Sequence, residues 1–73
     1  MQLAERLRLR RLPEPKRARE IRVAAGATQP EVAIAIGVHV VTIARWETGK
    51  RKPRGMHAER YAALLQSLAE LDN

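Results

Sequence analysis

Apolar and polar positions along this chain alternate with a helical period almost throughout. From Pro15 onward, Ala18, Ile21 and Ala25 recur at i, i+3 and i+7, and Gly26 stops the pattern where a helix commonly ends on a left-handed residue. "TQPE" follows, with Thr28 as N-cap, Glu31 three residues on to close a capping box, and Pro30 in the first turn, where its missing N–H costs nothing. A second helix over about 29–36 then carries Val32, Ala33 and Ile36 on its inner face and ends at Gly37. The last helix, over about 56–71, repeats apolar residues at Ala58, Tyr61, Leu65 and Leu68.

One stretch resists the pattern. "GVHVVTIARW", residues 37–46, holds Val38, Val40, Val41, Thr42 and Ile43, all β-branched, and alone it reads as a strand. No other segment offers itself as a pairing partner, and a lone strand leaves its backbone groups unpaired. As a helix over 39–48 the residues sort into two sides, with His39, Ile43 and Trp46 on one and Val40, Val41, Ala44, Arg45 and Thr48 on the other. The β-branched residues cost a few tenths of a kcal/mol each in propensity. Burial of Ile43 and Trp46 returns roughly 1.5–3 kcal/mol apiece, so packing prevails and the segment is helical. Its outer side is less simply explained: Val40 and Val41 either lie under the N-terminal leader or meet something outside the domain.

The expected architecture is therefore all-α, a small bundle of four to five helices in one domain. "LPEP" at 12–15 separates residues 1–14 from the body, residues 15–73. That leader is either a frayed basic arm or a short helix carrying Leu3, Leu7 and Leu12 on one side. The 45% apolar content is inflated by Ala, and with no Phe, one Trp and one Tyr the core must be mostly aliphatic. At 73 residues this predicts modest stability.

Charge narrows the function. Fourteen Lys and Arg against eight Asp and Glu leave a formal +6, which points to a polyanion, with nucleic acid ahead of membrane. The cations concentrate in residues 1–22 and in 45–54, where Arg45, Lys50, Arg51, Lys52 and Arg54 face only Glu47, and the two groups can form one face. Without cysteine, and with only His39 and His57, neither disulfides nor a zinc cluster is in prospect, and no cofactor is implied. Apolar runs are too short for a membrane span, and the basic start lacks the apolar core of a secretory signal, so the cytoplasm is the expected location. Nothing suggests an enzyme: there is no phosphate-cradling Gly loop, no convergent acid–base pair and no nucleophile beside a base.

Two short helices joined at a Gly, with a basic loop after the second, form a helix-turn-helix, with Ala33 at the crossing and Val38, Ile43 and Trp46 as anchors. Residues 17–68, through "IRVAAGATQPEVAIAIGVHVVTIARWETGKRKP" and the tail "RGMHAERYAALLQSL", resemble the XRE-type helix-turn-helix family of phage Cro-type and CI-type repressors. No single piece is specific, but "GxTQxExAxxxGVxxxTIxRWExGxRxP" as a whole is. The resemblance implies a lambda-repressor-like fold and a double-stranded DNA partner, read in the major groove by helix 39–48.

By the same resemblance, Val40, Val41 and Arg45 occupy base-facing slots, with Thr42 at the margin between base and backbone. A guanidinium can grip guanine O6 and N7, whereas a valine senses only a thymine methyl. Gln29 occupies a phosphate-contacting slot, and Lys50, Arg51, Lys52 and Arg54 lie in the backbone-gripping loop. Glu47 falls at a structural position, bonding local backbone or a basic neighbour. His39 stands where the family often has Ser or Thr as N-cap; imidazole caps poorly, leaving a phosphate contact or a partly buried spacer. Ile34 replaces an often polar outer residue and hints at an interface.

Family members commonly bind as dimers on palindromes with half-sites one helical turn apart. The last helix supplies a candidate homodimer surface in Tyr61, Leu64, Leu65, Leu68 and Leu71, unless these residues only close the core. The leading expectation is a small phage or bacterial transcriptional repressor, with no room for a separate sensing domain. An antitoxin-like protein-interaction module with autoregulatory DNA binding is the alternative, with a membrane or RNA surface binder behind it.

Overall fold

The computed structural model describes residues 12–71, so the leader expectation for residues 1–11 lies outside the described residues. Four helices run through them: α1 Pro15–Ala24, α2 Gln29–Ile36, α3 Val40–Thr48 and α4 Gly55–Leu71. No strand occurs among the described residues, and the β-branched stretch is helical from Val40.

Each boundary has a local cause. Pro15 opens α1, and Gly26, at φ 74°, turns the chain out of it. At α2 the Thr28 hydroxyl accepts the Glu31 N–H at 3.2 Å, and the Glu31 carboxylate accepts the Thr28 N–H at 2.9 Å, so the capping box is complete. That backbone hydrogen bond, with the one from the Thr28 side chain, holds the Glu31 carboxyl below its ordinary range. Gly37 adopts φ 88°, and the N–H groups of Gly37 and Val38 both donate to the Ala33 carbonyl, at 2.8 and 3.0 Å. This left-handed turn sends α3 off across α2, and a Cβ there would be strained.

His39 departs from expectation. It is exposed rather than a partly buried spacer, and its Nδ1 caps α3 by accepting the Val41 N–H at 3.1 Å. Imidazole is an uncommon cap, yet its acceptor nitrogen satisfies one of the orphan amides of the first turn.

The core lies where α3 meets α1 and α2, closed by α4. Ala18, Ile21, Val32, Ala33, Ile36, Ile43, Trp46, Tyr61 and Leu65 form it, with Leu12, Val38, Val40, Leu64 and Leu68 packed at its margin. Ile36, Ile43 and Leu65 are fully enclosed. The Trp46 and Tyr61 rings stack at a tilt, 4.8 Å apart, and join α3 to α4. Two expectations need correcting here. Val40 is half-buried against the core rather than outward, and Tyr61 is a core residue, 3% exposed, rather than an interface residue. Burial at both positions depends on the neighbouring helices, which a periodicity read within one helix does not contain.

Candidate nucleic-acid interface

The inner and outer sides of α3 differ in chemistry. Inside, beside Ile43 and Trp46, sits Glu47, a carboxylate only 6% exposed. It is matched by Arg22 of α1: Arg22 Nε donates to Glu47 Oε2 at 2.6 Å and Nη2 to Oε1 at 3.0 Å, a two-pronged pair. Arg22 Nη1 donates to the Ala27 carbonyl at 2.9 Å, and Gln29 Nε2 donates to Glu47 Oε1 at 3.1 Å. One buried carboxylate thus ties α1, the start of α2 and α3 together. Burial alone would push the Glu47 carboxyl up, but the hydrogen bonds from Arg22 and Gln29, with the charges of Arg22 and Arg19, outweigh it and hold it below its ordinary range. The hydrogen bond that Arg22 donates to Glu47 in turn raises the Arg22 guanidinium against the opposing effect of burial.

Arg22 therefore does not belong to a solvent-facing basic cluster, contrary to the grouping of residues 1–22 by charge. Sequence reading missed its role because it counted charges without pairing them. The available signal was that Arg22 follows the apolar Ile21 at the inner edge of α1, while Glu47 is the lone acid within 45–54. The Tyr61 hydroxyl lies buried near the same pair with no hydrogen-bond partner among the described residues. Burial, reinforced by the Glu47 charge, pushes it up to about 12.

Outside, Val41 is 45% exposed and Arg45 is exposed, with Thr42 half-buried between them. Thr48 closes the helix by donating its hydroxyl to the Ala44 and Arg45 carbonyls, and Gly49, at φ 78°, starts the loop. The Arg51 N–H then donates back to the Arg45 carbonyl at 3.3 Å, which folds the loop against the end of α3. Lys50, Arg51, Lys52 and Arg54 are all exposed.

The consequence is a concavity of about 460 Å³ lined by Thr42, Arg45, Trp46, Arg51, Lys52, Arg54 and His57. No carboxylate of the described residues lines it. The fold brings together Thr42, Arg45 and three of the four loop cations, and adds His57 from the first turn of α4, which sequence reading assigned no part. Gln29, His39, Val40, Val41 and Lys50 do not line this hollow. Gln29 is half-buried and tethered to Glu47, while His39 stands exposed at the start of α3. Among the candidate interface residues, Ile34 is 82% exposed and Leu71 75%, while Leu64 and Leu68 are half-buried. No group of described residues can hold a metal ion, and no helix among them is long and apolar enough to cross a membrane.

Two helices crossing at a left-handed glycine, the second carrying a cationic outer side, define a helix-turn-helix unit. The chain belongs to the helix-turn-helix domain family, of XRE/Cro-like type, whose family model matches residues 16–71. Such domains are typically not catalytic, and membership implies DNA as the partner. No curated protein and no solved structure matches the chain.

Proposed function

We propose that this protein is a sequence-reading, double-stranded DNA-binding transcriptional regulator, a small repressor of phage or bacterial type acting in the cytoplasm. The observation that carries the reading is the cationic hollow continuous with the outer side of α3, lined by no carboxylate of the described residues. In this reading α3 enters the major groove. Arg45 forks to a guanine edge, Val41 and the exposed margin of Val40 sense thymine methyls, and Thr42 works between base and backbone. Lys50, Arg51, Lys52 and Arg54 neutralise phosphates and add affinity without sequence information. The Gln29 amide keeps one N–H beyond its bond to Glu47 and offers it to a phosphate at the N-terminus of α2. His39 uses Nδ1 for its cap and presents the other ring nitrogen outward.

The protein acts as a homodimer on a palindrome, through Leu64, Leu68 and Leu71 of α4. A protein partner in the manner of an antitoxin is the second reading, favoured by the outward Ile34 side chain.

Selection of bound duplexes from a random pool, with winner and random DNA compared at two salt concentrations, tests the proposal. An enriched palindrome that outcompetes random DNA at the higher salt supports a dimeric reader. Binding without enrichment that vanishes as salt rises leaves only charge neutralisation and defeats the base-reading assignment. Arg45→Ala then costs about 1–3 kcal/mol, mainly on the selected site, while Lys50→Ala weakens all duplexes and flattens the salt slope by about one. An equal loss on random DNA for Arg45→Ala removes it from the base-reading set.

A further inference from the structure

We propose that His57 is a proton-linked phosphate contact, so that duplex binding takes up a proton at this side chain. The proposal rests on the DNA-binding reading and adds a residue and a pH dependence to it.

His57 is exposed and lies on the wall of the hollow it shares with Arg45, Arg51, Lys52 and Arg54. From α3 the hollow receives Thr42, Arg45 and Trp46, of which only Arg45 is charged, and from the loop it receives three cations. On α4 itself, Glu59 is half-buried and already engaged in contacts of its own, while the Arg60 guanidinium donates to the Ile36 carbonyl at 3.4 Å. Among the described residues, no carboxylate therefore lines the space beside His57.

A phosphodiester seated among these cations places a negative charge beside the ring and rewards a protonated imidazole with a charge-assisted hydrogen bond. An imidazole ordinarily exchanges its proton near pH 6.5, so the switch falls within reach of physiological conditions. The sign follows from linkage: a proton held more tightly in the complex makes affinity rise as pH falls. His39 lies outside this hollow, its Nδ1 accepting the Val41 N–H at the start of α3.

The test measures binding of the full chain to a short random-sequence duplex at about pH 5.5 and about pH 7.5, at constant ionic strength and across a salt series. The wild type is expected to bind about fivefold tighter at the lower pH, with a salt slope steeper by about 0.9 for the one added phosphate contact. His57→Gln is expected to hold the weaker affinity at both pH values, and His57→Lys, with a permanent charge, the tighter affinity at both. His39→Asn, which keeps a capping side chain, retains the fivefold ratio.

Wild-type pH dependence persisting in His57→Gln, or abolished by His39→Asn instead, overturns the assignment. Tight binding with no pH dependence in the wild type also defeats it while leaving the DNA-binding reading intact. No binding to any duplex at either pH defeats both. Thermal melts of each variant separate a lost contact from a lost fold.

Discussion

The two sides of α3 carry charge in opposite ways. On the inner side one anion, Glu47, is buried and answered by Arg22 and Gln29. On the outer side cations gather around a hollow that no anion of the described residues lines. An unpaired buried charge is costly, so the inner carboxylate must be matched for the domain to stand. A solvated cation costs little, and a cluster left without partners stays ready for an external polyanion. The same nine-residue helix thus spends its inner side on orientation and keeps its outer side for binding.

The contrast can be broken most forcefully at Glu47. Glu47→Ala leaves Arg22 buried without its counter-charge and is expected to cost about 3–5 kcal/mol, a large share of the stability of a small domain, in chemical denaturation. The double replacement Arg22→Met with Glu47→Leu is expected to recover most of that loss, since an apolar pair needs no compensation. Such recovery would show that the pair matters through mutual satisfaction rather than net attraction.

Acid probes the same pair. The Glu47 carboxyl lies below its ordinary range in the folded protein, so its contribution is complete above the unfolded value of about 4.3 and is lost as pH falls through the lower folded value. A stability curve that loses less below that point in Glu47→Gln than in the wild type, relative to each protein's value at neutral pH, would confirm the source.

Gly37→Val acts on the turn that sets the angle between the two sides. It is expected to cost about 1–2 kcal/mol from the left-handed backbone alone, read as a lowered melting temperature. Thr28→Ala removes the cap of α2 and is expected to cost about 1 kcal/mol in the same assay. Arg45→Ala lies at the far end of the scale, within about 0.5 kcal/mol of wild-type stability, because its exposed side chain supports nothing inside. A large destabilisation at Arg45 would erase the division between the two sides.

Much of this design was legible in the chain. The capping box was readable because Thr28 and Glu31 act within one turn, and Gly26 and Gly37 announced breaks that need only local backbone freedom. Periodicity placed Ile43 and Trp46 inside α3 even against β-branched propensity. It erred at Val40 and His39, whose burial depends on how far neighbouring helices extend over them, while Tyr61 lies on the inner stripe it marked in the last helix. Of the hollow, Arg45 and the loop cations were legible as a charge run, and His57 was not, being separated from them by the bend into α4.

What the sequence determined by itself was the local grammar: four helical segments, their stops and caps, and a family pattern that implies DNA as the partner. These depend on interactions spanning a few residues, for which spacing is sufficient information. The tertiary structure alone decided which charges are paired and which are free. Arg22 and Glu47 lie 25 positions apart and look like ordinary surface charges until α1 is laid across α3. His57 joins the Arg45 hollow only when α4 folds back beside it. Electrostatic energy depends on distance and burial in space, and neither is a property of position along the chain.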